Sequence, residues 1–591
     1  PLLDENRVFV KLGLDAINSG NCCNGLYRLL NGVPTARRPY NACTLGFAVA
    51  PRLNASGRMS DASLGVELFL CRDPNRADEI IARLNKLNEL RQQDEANILN
   101  DAIRRLEPCD LSDTRAIVLR SETWNAGVIG IAASRIAEMY HRPTILFSES
   151  DGMLKGSARS IDGVNIHEVL CCCREFFVRF GGHAKAAGIT MESAFFEDFR
   201  LKLNACLKAG YDDSVFIPCK RYEFDIPLEQ VTRELIAELT RLSPFGESNP
   251  SPVFRSRHVA VSRLRRFGSD AQHTKMDVSP SISSSAPPLD AVWFASAASY
   301  YRLLNADTVD MLYTPGINNW NGFDSIQLRV VSAKAEQPRD IDAYIEKGMR
   351  YFCNGLLENL SYRLSEPEQL PEICETTLAE LCSRSISGLL VLVFSVESAK
   401  KILDEIRSSQ IGNVDICYSC VADSPVCCNT VLLAPQLANL PAFGFSKVVF
   451  YDNPPCSGVY TAVSRRMSSA SMLRMPCTNS DFGRVALHFA CDRDFMVCSY
   501  KLVQSILAAS PCSQGELCGK MSNKLNIPVY CALFAVRVFI ELGFIEFTPG
   551  GALRNSSEIR PAPLCASTLY SAVERLRTRN FPDSEQDDSD E

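Results

Sequence analysis

The chain has 591 residues, too many for one hydrophobic core, so we expect several domains. Apolar residues make up 46% and charged residues 22%, as in globular proteins, and no apolar run is long enough to span a membrane. The net charge of −7 excludes an overall electrostatic attraction to a polyanion. A nucleic-acid partner would therefore have to be held by local basic surfaces.

The first third of the chain predicts a long helix followed by a small α/β unit. Pro51–Arg58 contains Asn and Gly and is predicted as a loop. Ala77–Leu106 is predicted as a helix, because apolar residues recur there at helical spacing without an internal Gly or Pro. Strands and helices are then predicted in the order Arg115–Leu119 (strand), Gly127–Tyr140 (helix), Thr144–Phe147 (strand) and Ile166–Phe180 (helix, ending at Gly181-Gly182).

Short strands separated by turns predict a small β-barrel after Cys219. The predicted strands are 222–226, 252–256, 258–264, 291–295 and 325–331. The Ser- and Pro-rich segment Ser279–Pro288 is predicted as a flexible loop between two of them. About five short strands over roughly a hundred residues are typical of an OB-fold.

The last third predicts a parallel sheet and a winged-helix-like end. Residues 388–394 and 447–452 are continuous apolar strands with helical sequence at 398–406 between them, so the sheet should be covered on both faces. A helix over Val529–Gly543 and the strand after it predict the winged-helix-like unit. In Asp583–Glu591 six of nine residues are acidic, and we predict a disordered tail.

The 25 cysteines are clumped rather than evenly spaced, which favours reduced core cysteines over a disulfide framework. Cys417 and Cys420 form a C-x-x-C pair, with Cys427 and Cys428 downstream. A zinc site would need a second, similarly spaced half, and the sequence has none. We therefore favour packing over zinc.

Three short motifs contain residues suited to binding phosphate. Arg52, Asn54 and Arg58 offer planar donors, the string Lys155–Ser160 combines small residues with a guanidinium, and Gly181-Gly182-His183 places an imidazole beside flexible backbone. Each motif has a structural alternative, which is a surface loop with incidental charges for the first two and a structural histidine for the third. The motifs alone leave these alternatives open.

The order and surroundings of these motifs resemble the RecJ family of the DHH phosphoesterase superfamily. Between the first two lies Thr123–Arg135, whose GVIGIAASR string is similar to a helix of that family, and Arg142-Pro143-Thr144 follows it. Arg241–Phe254 resembles the opening of the family's OB domain. The segment from Ser387 to Phe547 resembles an additional C-terminal domain found in some members of the family.

The resemblance implies a role for each motif residue. His183 is the expected catalytic residue, near the phosphate being cleaved. The residues expected to bind substrate are Arg52, Asn54, Arg58, Asn125, Ser157, Arg159, Ser160, Gly181 and Gly182. The family often has His where this chain has Asn125, and an amide forms hydrogen bonds but cannot transfer a proton. An acid–base role at this position is therefore in doubt.

The resemblance also implies a division of a multidomain α/β chain into five parts. They are the end of a DHH domain with a connector helix (1–106), a DHHA1-like substrate-binding domain (107–217), an OB-fold nucleic-acid-binding β-barrel (218–337), a C-terminal parallel α/β domain with a winged-helix-like end (338–582) and the acidic tail (583–591). In the barrel, Arg263, Arg265, Arg266, Phe267 and Lys275 are expected to contact DNA. The alternative for these five is a solvated barrel face with a core phenylalanine.

The family's metal-binding residues are absent from the sequence. No Asp-His-His string exists in it, and none of the six histidines neighbours another. Hydrolysis assisted by two metal ions requires several converging carboxylates and imidazoles. We therefore expect Mn²⁺ or Mg²⁺ to be bound by a missing N-terminal domain, the chain to be truncated upstream, and the chain alone to be inactive.

The function implied by the resemblance is 5′→3′ exonuclease activity on single-stranded DNA, in repair and recombination in a bacterial cytoplasm. The expected partners are single-stranded DNA with a 5′ end and, by analogy, single-strand-binding protein; the chain is expected to be a monomer away from membranes. Two alternatives stay open. One is a non-catalytic DNA-binding scaffold, and the other is a DHH-type phosphodiesterase of short oligonucleotides.

Overall fold

A computed structural model describes residues 2–578, apart from 35–37, 107–113, 269–270, 305, 321, 339, 363–369, 385–387, 410, 412–413, 422–427, 442–443, 469, 477–479 and 558–560. The acidic tail predicted from Asp583 onward lies outside the described residues. The chain forms two compact units. The first comprises residues 1–295 and 309–333, and the second comprises residues 296–308 and 334–591.

The first unit begins with a helical layer. Its helices are α1 (Asp4–Asn18), α2 (Asn24–Gly32), α3 (Ala50–Met59, preceded by a π-helical turn at Thr44–Val49), α4 (Ser63–Leu70) and α5 (Pro74–Leu106). The predicted long helix is confirmed as α5, which begins three residues earlier than expected. Ile80, Leu84 and Ile98 are among the buried residues of α5, so its apolar side faces the core.

The predicted loop at Pro51–Arg58 is wrong, because these residues lie within α3. Pro51 occupies the first turn of the helix, where a missing backbone N–H costs nothing. Asn54 and Gly57 are weak helix formers, but Ala55 and Ser56 between them are buried against the rest of the layer. Tertiary packing therefore overrides the local breaker signal.

A five-stranded sheet follows. Its elements are β1 (Ile117–Ser121), α6 (Ile129–Tyr140), β2 (Thr144–Ser150), β3 (Met153–Arg159), α7 (Ile166–Cys171), β4 (Phe177–His183), β5 (Ala186–Glu192) and α8 (Phe196–Gly210). The strand order is β1-β2-β3-β5-β4, with β1 and β2 parallel and the other pairs antiparallel. One face of the sheet is buried with α7 and α8, around Phe147, Ile189 and Phe199.

The predicted helix Ile166–Phe180 is only partly correct. Helix α7 ends at Cys171, a 3-10 turn covers Arg174–Phe176, and the glycine pair lies inside strand β4 rather than at a helix end. The segment after Cys173 is rich in aromatic residues, which suit a strand. Gly182 fits because a Cβ there would lie only 2.5 Å from the Cα of Ala187 in β5.

The first unit ends in a closed barrel. Strand β6 (Phe224–Asp225) and helix α9 (Arg233–Thr240) precede β7 (Phe254–Phe267), β8 (His273–Ser279), β9 (Leu289–Trp293), β10 (Thr308–Trp320) and β11 (Phe323–Ala335). The strands pair in the order β7-β8-β9-β11-β10, and β10 pairs with β7 to close the ring. Arg255 donates to Asp310 at 2.5 Å, and Ser256 and Tyr313 are hydrogen-bonded at 2.8 Å across that closure.

The second unit contains helices α10 (Ala297–Leu303), α11 (Ile341–Asn359), α12 (Leu378–Arg384), α13 (Val396–Ser408), α14 (Gly458–Arg466) and α15 (Gly483–Ala486). They accompany the strands β12 (Glu372–Ile373), β13 (Leu389–Val393), β14 (Val414–Tyr418), β15 (Asn429–Leu433), β16 (Lys447–Phe450) and β17 (Ser471–Arg474). These strands are parallel, in the order β12-β17-β16-β13-β15-β14. The predicted parallel sheet is confirmed.

A winged-helix arrangement follows the parallel sheet. It consists of α16 (Arg493–Ala509), α17 (Gln514–Leu525), α18 (Val529–Glu541) and the antiparallel pair β18 (Ile545–Phe547) and β19 (Leu553–Asn555), before the last helix α19 (Thr568–Thr578). Helix α18 is buried along most of its length, including Phe534, Val538 and Phe539. Most side chains of α18 are therefore used for packing within the core.

Most buried cysteines lie in the second unit. Cys417 is buried in β14 and Cys420 is half-buried after it, while Cys427 lies outside the described residues. Within the described ranges, no group of three or more His, Cys, Asp or Glu side chains is arranged to hold a metal ion. No helix in the same ranges is long and apolar enough to cross a membrane.

Candidate nucleic-acid interface

The loop before α6 is held in place by Asn125. Its Oδ1 accepts a hydrogen bond from the backbone N–H of Gly127 at 2.9 Å, and its Nδ2 donates to Asp94 of α5 at 3.1 Å. Both polar ends of the amide are therefore used to fix the loop against α5. Asn125 thus has a structural role that needs no proton transfer, at the position where the sequence left an acid–base role in doubt.

Arg159 lies against the first turn of α6. Its Nε donates to Ser134 at 3.1 Å and its Nη1 donates to Ser157 at 2.9 Å. A Cβ on Gly130 would lie 2.8 Å from Nη2 of Arg159, so the glycine allows this close approach. Burial, and then the nearby charge of Arg58, lower the pKa of Arg159.

Arg58 connects α3 to the same place. Its Nη1 donates to the carbonyl of Gly127 at 3.1 Å, and a Cβ on Gly127 would lie 2.4 Å from the carbonyl oxygen of Arg58. Asn54 is one turn earlier on the same side of α3, and both side chains are exposed. Two guanidinium groups, an amide and the positive end of a helix thus lie together, a combination suited to binding phosphate.

The sheet extends this surface away from α6. The pairing register aligns Arg159 of β3 with Ala186 of β5 and His183 of β4, and residues paired in this way share one face of the sheet. Two strand spacings separate the backbones of Arg159 and His183 by about 10 Å. We call this surface the sheet face; its residues are Lys155, Ser157, Arg159, Arg179, Gly181, His183, Ala186, Gly188 and Thr190.

The centre of the sheet face is bare backbone. Gly181 and Gly188 are paired across β4 and β5, both are exposed, and a Cβ at either would meet nothing within 4 Å. The floor between Arg159 and His183 is therefore open and smooth enough for a ligand backbone to approach closely.

Several expected site residues do not join the sheet face. Arg52 donates to Asn85 at 2.8 Å and to the carbonyl of Ala48 at 2.5 Å, and burial lowers its pKa. It lines a separate groove of about 1040 Å³ between α3, α5 and α6. The Ser160 hydroxyl donates to the carbonyl of Val164 at 2.7 Å, and Gly182 packs tightly on β5.

Two charged residues of the sheet face were absent from the expected site. Lys155 and Arg179 lie on the same side as Arg159 and His183, and both are exposed. Strand alternation would have found them. Arg179 was placed in a predicted helix, where its relation to His183 is lost.

The five barrel residues expected to bind DNA lie on β7 and β8. Arg265 and Lys275 are paired across the two strands. Arg263 forms an ion pair with Asp277 at 3.0 Å, and Lys275 forms one with Asp290 at 2.9 Å. Arg265 and Arg266 are exposed, and Phe267 is half-buried beside His273.

Comparison with known proteins identifies two neighbouring domains. A family model described as the DHHA1 domain matches residues 113–209, and one described as the RecJ OB domain matches residues 222–332. The chain is RecJ-like. The fold class expected from the sequence is thereby confirmed, since a DHHA1 domain, a closed OB barrel and a parallel α/β sheet are all present.

The RecJ-like chain is similar to several curated proteins named single-stranded-DNA-specific exonuclease RecJ. That of Bacillus subtilis (strain 168) is 34% identical over 339 residues, which is 57% of this chain and 42% of the relative. Those of Dickeya dadantii (strain 3937) and Escherichia coli (strain K12) are each 32% identical over 56% of this chain and cover 58% and 57% of their own lengths. The chain therefore spans about half the length of these relatives.

Solved structures matched by this chain include RecJ of Thermus thermophilus in complex with Mg²⁺ and in complex with Mn²⁺. The identities are 22% and 23%, and the TM-scores are 0.49 and 0.48. Each match covers 83% of this chain, with 64% of the Mg²⁺-bound chain and 60% of the Mn²⁺-bound chain.

Proposed function

We propose that this RecJ-like chain provides the substrate-binding side of a single-stranded-DNA-specific 5′→3′ exonuclease. The observation that carries the proposal is the convergence of Arg159 and Arg58 at the start of α6, on a sheet face that continues to His183. The names of the curated relatives support the reaction class. The proposal includes the exonuclease activity itself, because the chain spans only part of those relatives.

In the proposed mechanism, the sheet face holds and orients the strand. Arg159, Arg58 and Ser157 bind a 5′-terminal phosphate, with Asn54 exposed beside them. The glycine floor lets the sugar–phosphate backbone pass at close range. His183 then lies near a following phosphate, where its imidazole can hydrogen-bond the phosphate being cleaved.

A divalent ion, Mn²⁺ or Mg²⁺, would supply the activated water for phosphodiester hydrolysis. The part of the chain that the structure describes offers no cluster of ligands for such an ion. In this proposal the ligands of the ion lie outside these 591 residues, as the absence of an Asp-His-His string from the sequence suggests, and the chain alone binds DNA without cleaving it.

The remaining expectations from the sequence are part of the same proposal. The five-part division of the chain, action in bacterial DNA repair and recombination, a cytoplasmic location and a monomeric state follow from the family resemblance. Single-strand-binding protein is proposed as a partner by analogy alone.

The test is a binding and nuclease assay of the full chain on 5′-phosphorylated single-stranded DNA with Mn²⁺. We expect binding without degradation, and a roughly tenfold weaker affinity for Arg159→Ala, since loss of one charge-assisted contact costs about 1.5–3 kcal/mol. Arg200→Ala is the matched control, because Arg200 lies on α8 and forms an ion pair with Glu197. Equal affinities of the two variants would contradict the proposal.

The alternative of a non-catalytic DNA-binding scaffold is supported by one observation, namely that no Asp-His-His string exists in the sequence. Adding a separately produced protein with such a metal centre separates the two hypotheses, since cleavage that then depends on Arg159 supports the exonuclease. A length series of oligonucleotides tests the third hypothesis. A phosphodiesterase of short oligonucleotides should bind dinucleotides as tightly as long strands.

A further inference from the structure

A carboxylate of helix α5 reaches the loop of residues 124–127 that precedes α6, which we call the anchor loop. Asp94 is half-buried on α5, and its Oδ2 accepts the 3.1 Å hydrogen bond from Nδ2 of Asn125. Two helical turns later, Oδ2 of Asp101 accepts a hydrogen bond from Nε1 of Trp124, also at 3.1 Å. Residues two turns apart lie on the same face of a helix, so one face of α5 holds the anchor loop at two points.

Three hydrogen bonds in series connect Asp94 to the guanidinium of Arg58. The first joins Asp94 to Asn125. In the second, the backbone N–H of Gly127 donates to Oδ1 of Asn125 at 2.9 Å, and in the third, Nη1 of Arg58 donates to the carbonyl of Gly127 at 3.1 Å. A Cβ on Gly127 would lie 2.4 Å from the carbonyl oxygen of Arg58, so the two backbones are in close contact. A carboxylate of α5 is thus linked to a side chain in the last turn of α3.

The carboxylate fixes the orientation of the Asn125 amide. Because a carboxylate only accepts hydrogen bonds, Asn125 directs its NH₂ group toward Asp94 and its oxygen toward the N–H of Gly127. Without an acceptor at Asp94 the amide is free to rotate, and a reversed amide would set its NH₂ group against that N–H. The anchor loop would then lose the contact that holds Gly127, whose carbonyl accepts from Arg58.

Arg58 needs such a constraint because it is an exposed arginine beside a second cation. An exposed arginine samples many rotamers, and restricting them before a ligand arrives reduces the entropic cost of binding. Burial, and then the charge of Arg58, lower the pKa of Arg159, so the two guanidinium groups are close enough to repel each other. The hydrogen bond to Gly127 keeps Arg58 in place against that repulsion.

We propose that Asp94 is a positioning residue for the 5′-phosphate of a strand, acting through Asn125 and Gly127 to hold Arg58 beside Arg159. The inference rests on the proposed function, which assigns that phosphate to Arg58 and Arg159. Asp94 itself contacts no ligand in this scheme. Its contribution is the hydrogen-bond acceptor rather than the charge, because a negative charge near a phosphate site by itself weakens anion binding.

The experiment compares the affinities of the full chain for two labelled strands of one sequence, one with a 5′-phosphate and one with a 5′-hydroxyl. The ratio of the two affinities, which we call the phosphate preference, reports the contacts made to the terminal phosphate. We expect Asp94→Leu to lower the phosphate preference about threefold to tenfold, the usual net effect of one hydrogen bond. Asp94→Asn should keep it, because the new amide oxygen still accepts from Asn125. Both variants remove the charge, so their difference measures the hydrogen bond.

A double-mutant cycle tests whether Asp94 acts through Arg58. Arg58→Ala should lower the phosphate preference by itself, and adding Asp94→Leu to it should lower the preference no further. Asp78→Leu is the matched control, because Asp78 is another hydrogen-bonded carboxylate of α5 but is paired with Arg28 of α2. The control should keep the phosphate preference of the parent chain. Thermal melting compares the folds, and if Asp94→Leu melts at a markedly lower temperature, Asp94→Ala removes the same acceptor without adding volume.

Two outcomes would overturn the positioning role alone. One is an equal phosphate preference of Asp94→Leu and Asp94→Asn, and the other is additive losses for Asp94→Leu and Arg58→Ala. If Arg58→Ala and Arg159→Ala lower the preference while Asp94→Leu does not, the proposed function stands and the positioning role fails. If the parent chain has no phosphate preference, or neither arginine variant lowers it, the phosphate site at the start of α6 fails and the inference fails with it.

Discussion

Gly130 sets how closely helix α6 approaches the guanidinium of Arg159. We expect Gly130→Ala to weaken binding of 5′-phosphorylated strands several-fold, because a Cβ would lie 2.8 Å from both Nη2 of Arg159 and Oγ of Ser157. The helix itself should not suffer, since Ala favours helix by about 1 kcal/mol over Gly. Anisotropy titration measures the affinity, and thermal melting checks the fold.

Gly519→Ala is the matched control for this prediction. Gly519 lies inside α17, and a Cβ there would meet nothing within 4 Å. The control should gain a little stability and keep its DNA affinity. If both alanine variants bind like the parent chain, the close approach at α6 does not position Arg159 for phosphate.

Asp452 gives the second unit a defined dependence on pH. The carboxylate accepts backbone hydrogen bonds from Phe394 and Ser395, both at 2.8 Å, but burial dominates and raises its pKa to about 6. The folded state then binds the proton more tightly than the unfolded chain, in which the pKa is about 3.9. This contribution to stability is present below about pH 4 and is lost as the pH rises toward about 6, at about 1.4 kcal/mol per unit.

We expect Asp452→Asn to remove that slope and to be less stable by about 1–3 kcal/mol, since the amide nitrogen cannot accept from the N–H of Ser395. Urea unfolding at about pH 4.5 and about pH 6.5, on either side of most of that range, followed by circular dichroism, measures both effects. Asp404→Asn is the control, because Asp404 is exposed and paired with Arg407. A slope that persists unchanged in Asp452→Asn would assign the pH dependence to other groups.

Among the elements, strand β4 carries both the expected catalytic residue His183 and the exposed Arg179. Because Arg179 shares the sheet face with His183, Arg179→Ala should lower the salt dependence of single-strand binding. Each phosphate contact to a single strand contributes about 0.7 to the slope of log K against log salt concentration. Arg174→Ala, in the 3-10 turn before the strand, should keep the slope. Equal slopes for the two variants would place the bound strand elsewhere.

The elements also show what the sequence could and could not predict. Helix α5 and strands β13 and β16 of the parallel sheet were predictable, because a long apolar period or a continuous apolar run has one interpretation. Strand β4 was not, since aromatic and apolar residues without polar alternation fit a buried helix equally well. The sequence predicted Arg58, Arg159 and His183 as members of one surface. It could not predict that the side chains of Arg52 and Ser160 lie apart from that surface. Their side chains are used for contacts that only the folded chain reveals.

At the scale of the whole molecule, the net charge of −7 and the proposed binding to DNA are compatible because the charge is unevenly placed. Lys155, Arg159 and Arg179 share one face of the sheet, and Arg265 and Arg329 lie in one row of the barrel. Local fields of this kind act within a Debye length of about 8–10 Å at moderate salt. Binding through them should therefore be lost at high ionic strength.

The buried cysteines are unevenly distributed between the two units, so the accessibility of their thiols reports which unit has unfolded. Of the nine described cysteines that are buried, all but Cys173 lie in the second unit. Burial raises the pKa of thiols such as Cys353 and Cys518, so these groups are both shielded and poor nucleophiles while that unit is folded. The extent of alkylation of these thiols after a brief treatment, determined by peptide mass analysis, would thus measure the unfolding of the second unit separately from that of the first.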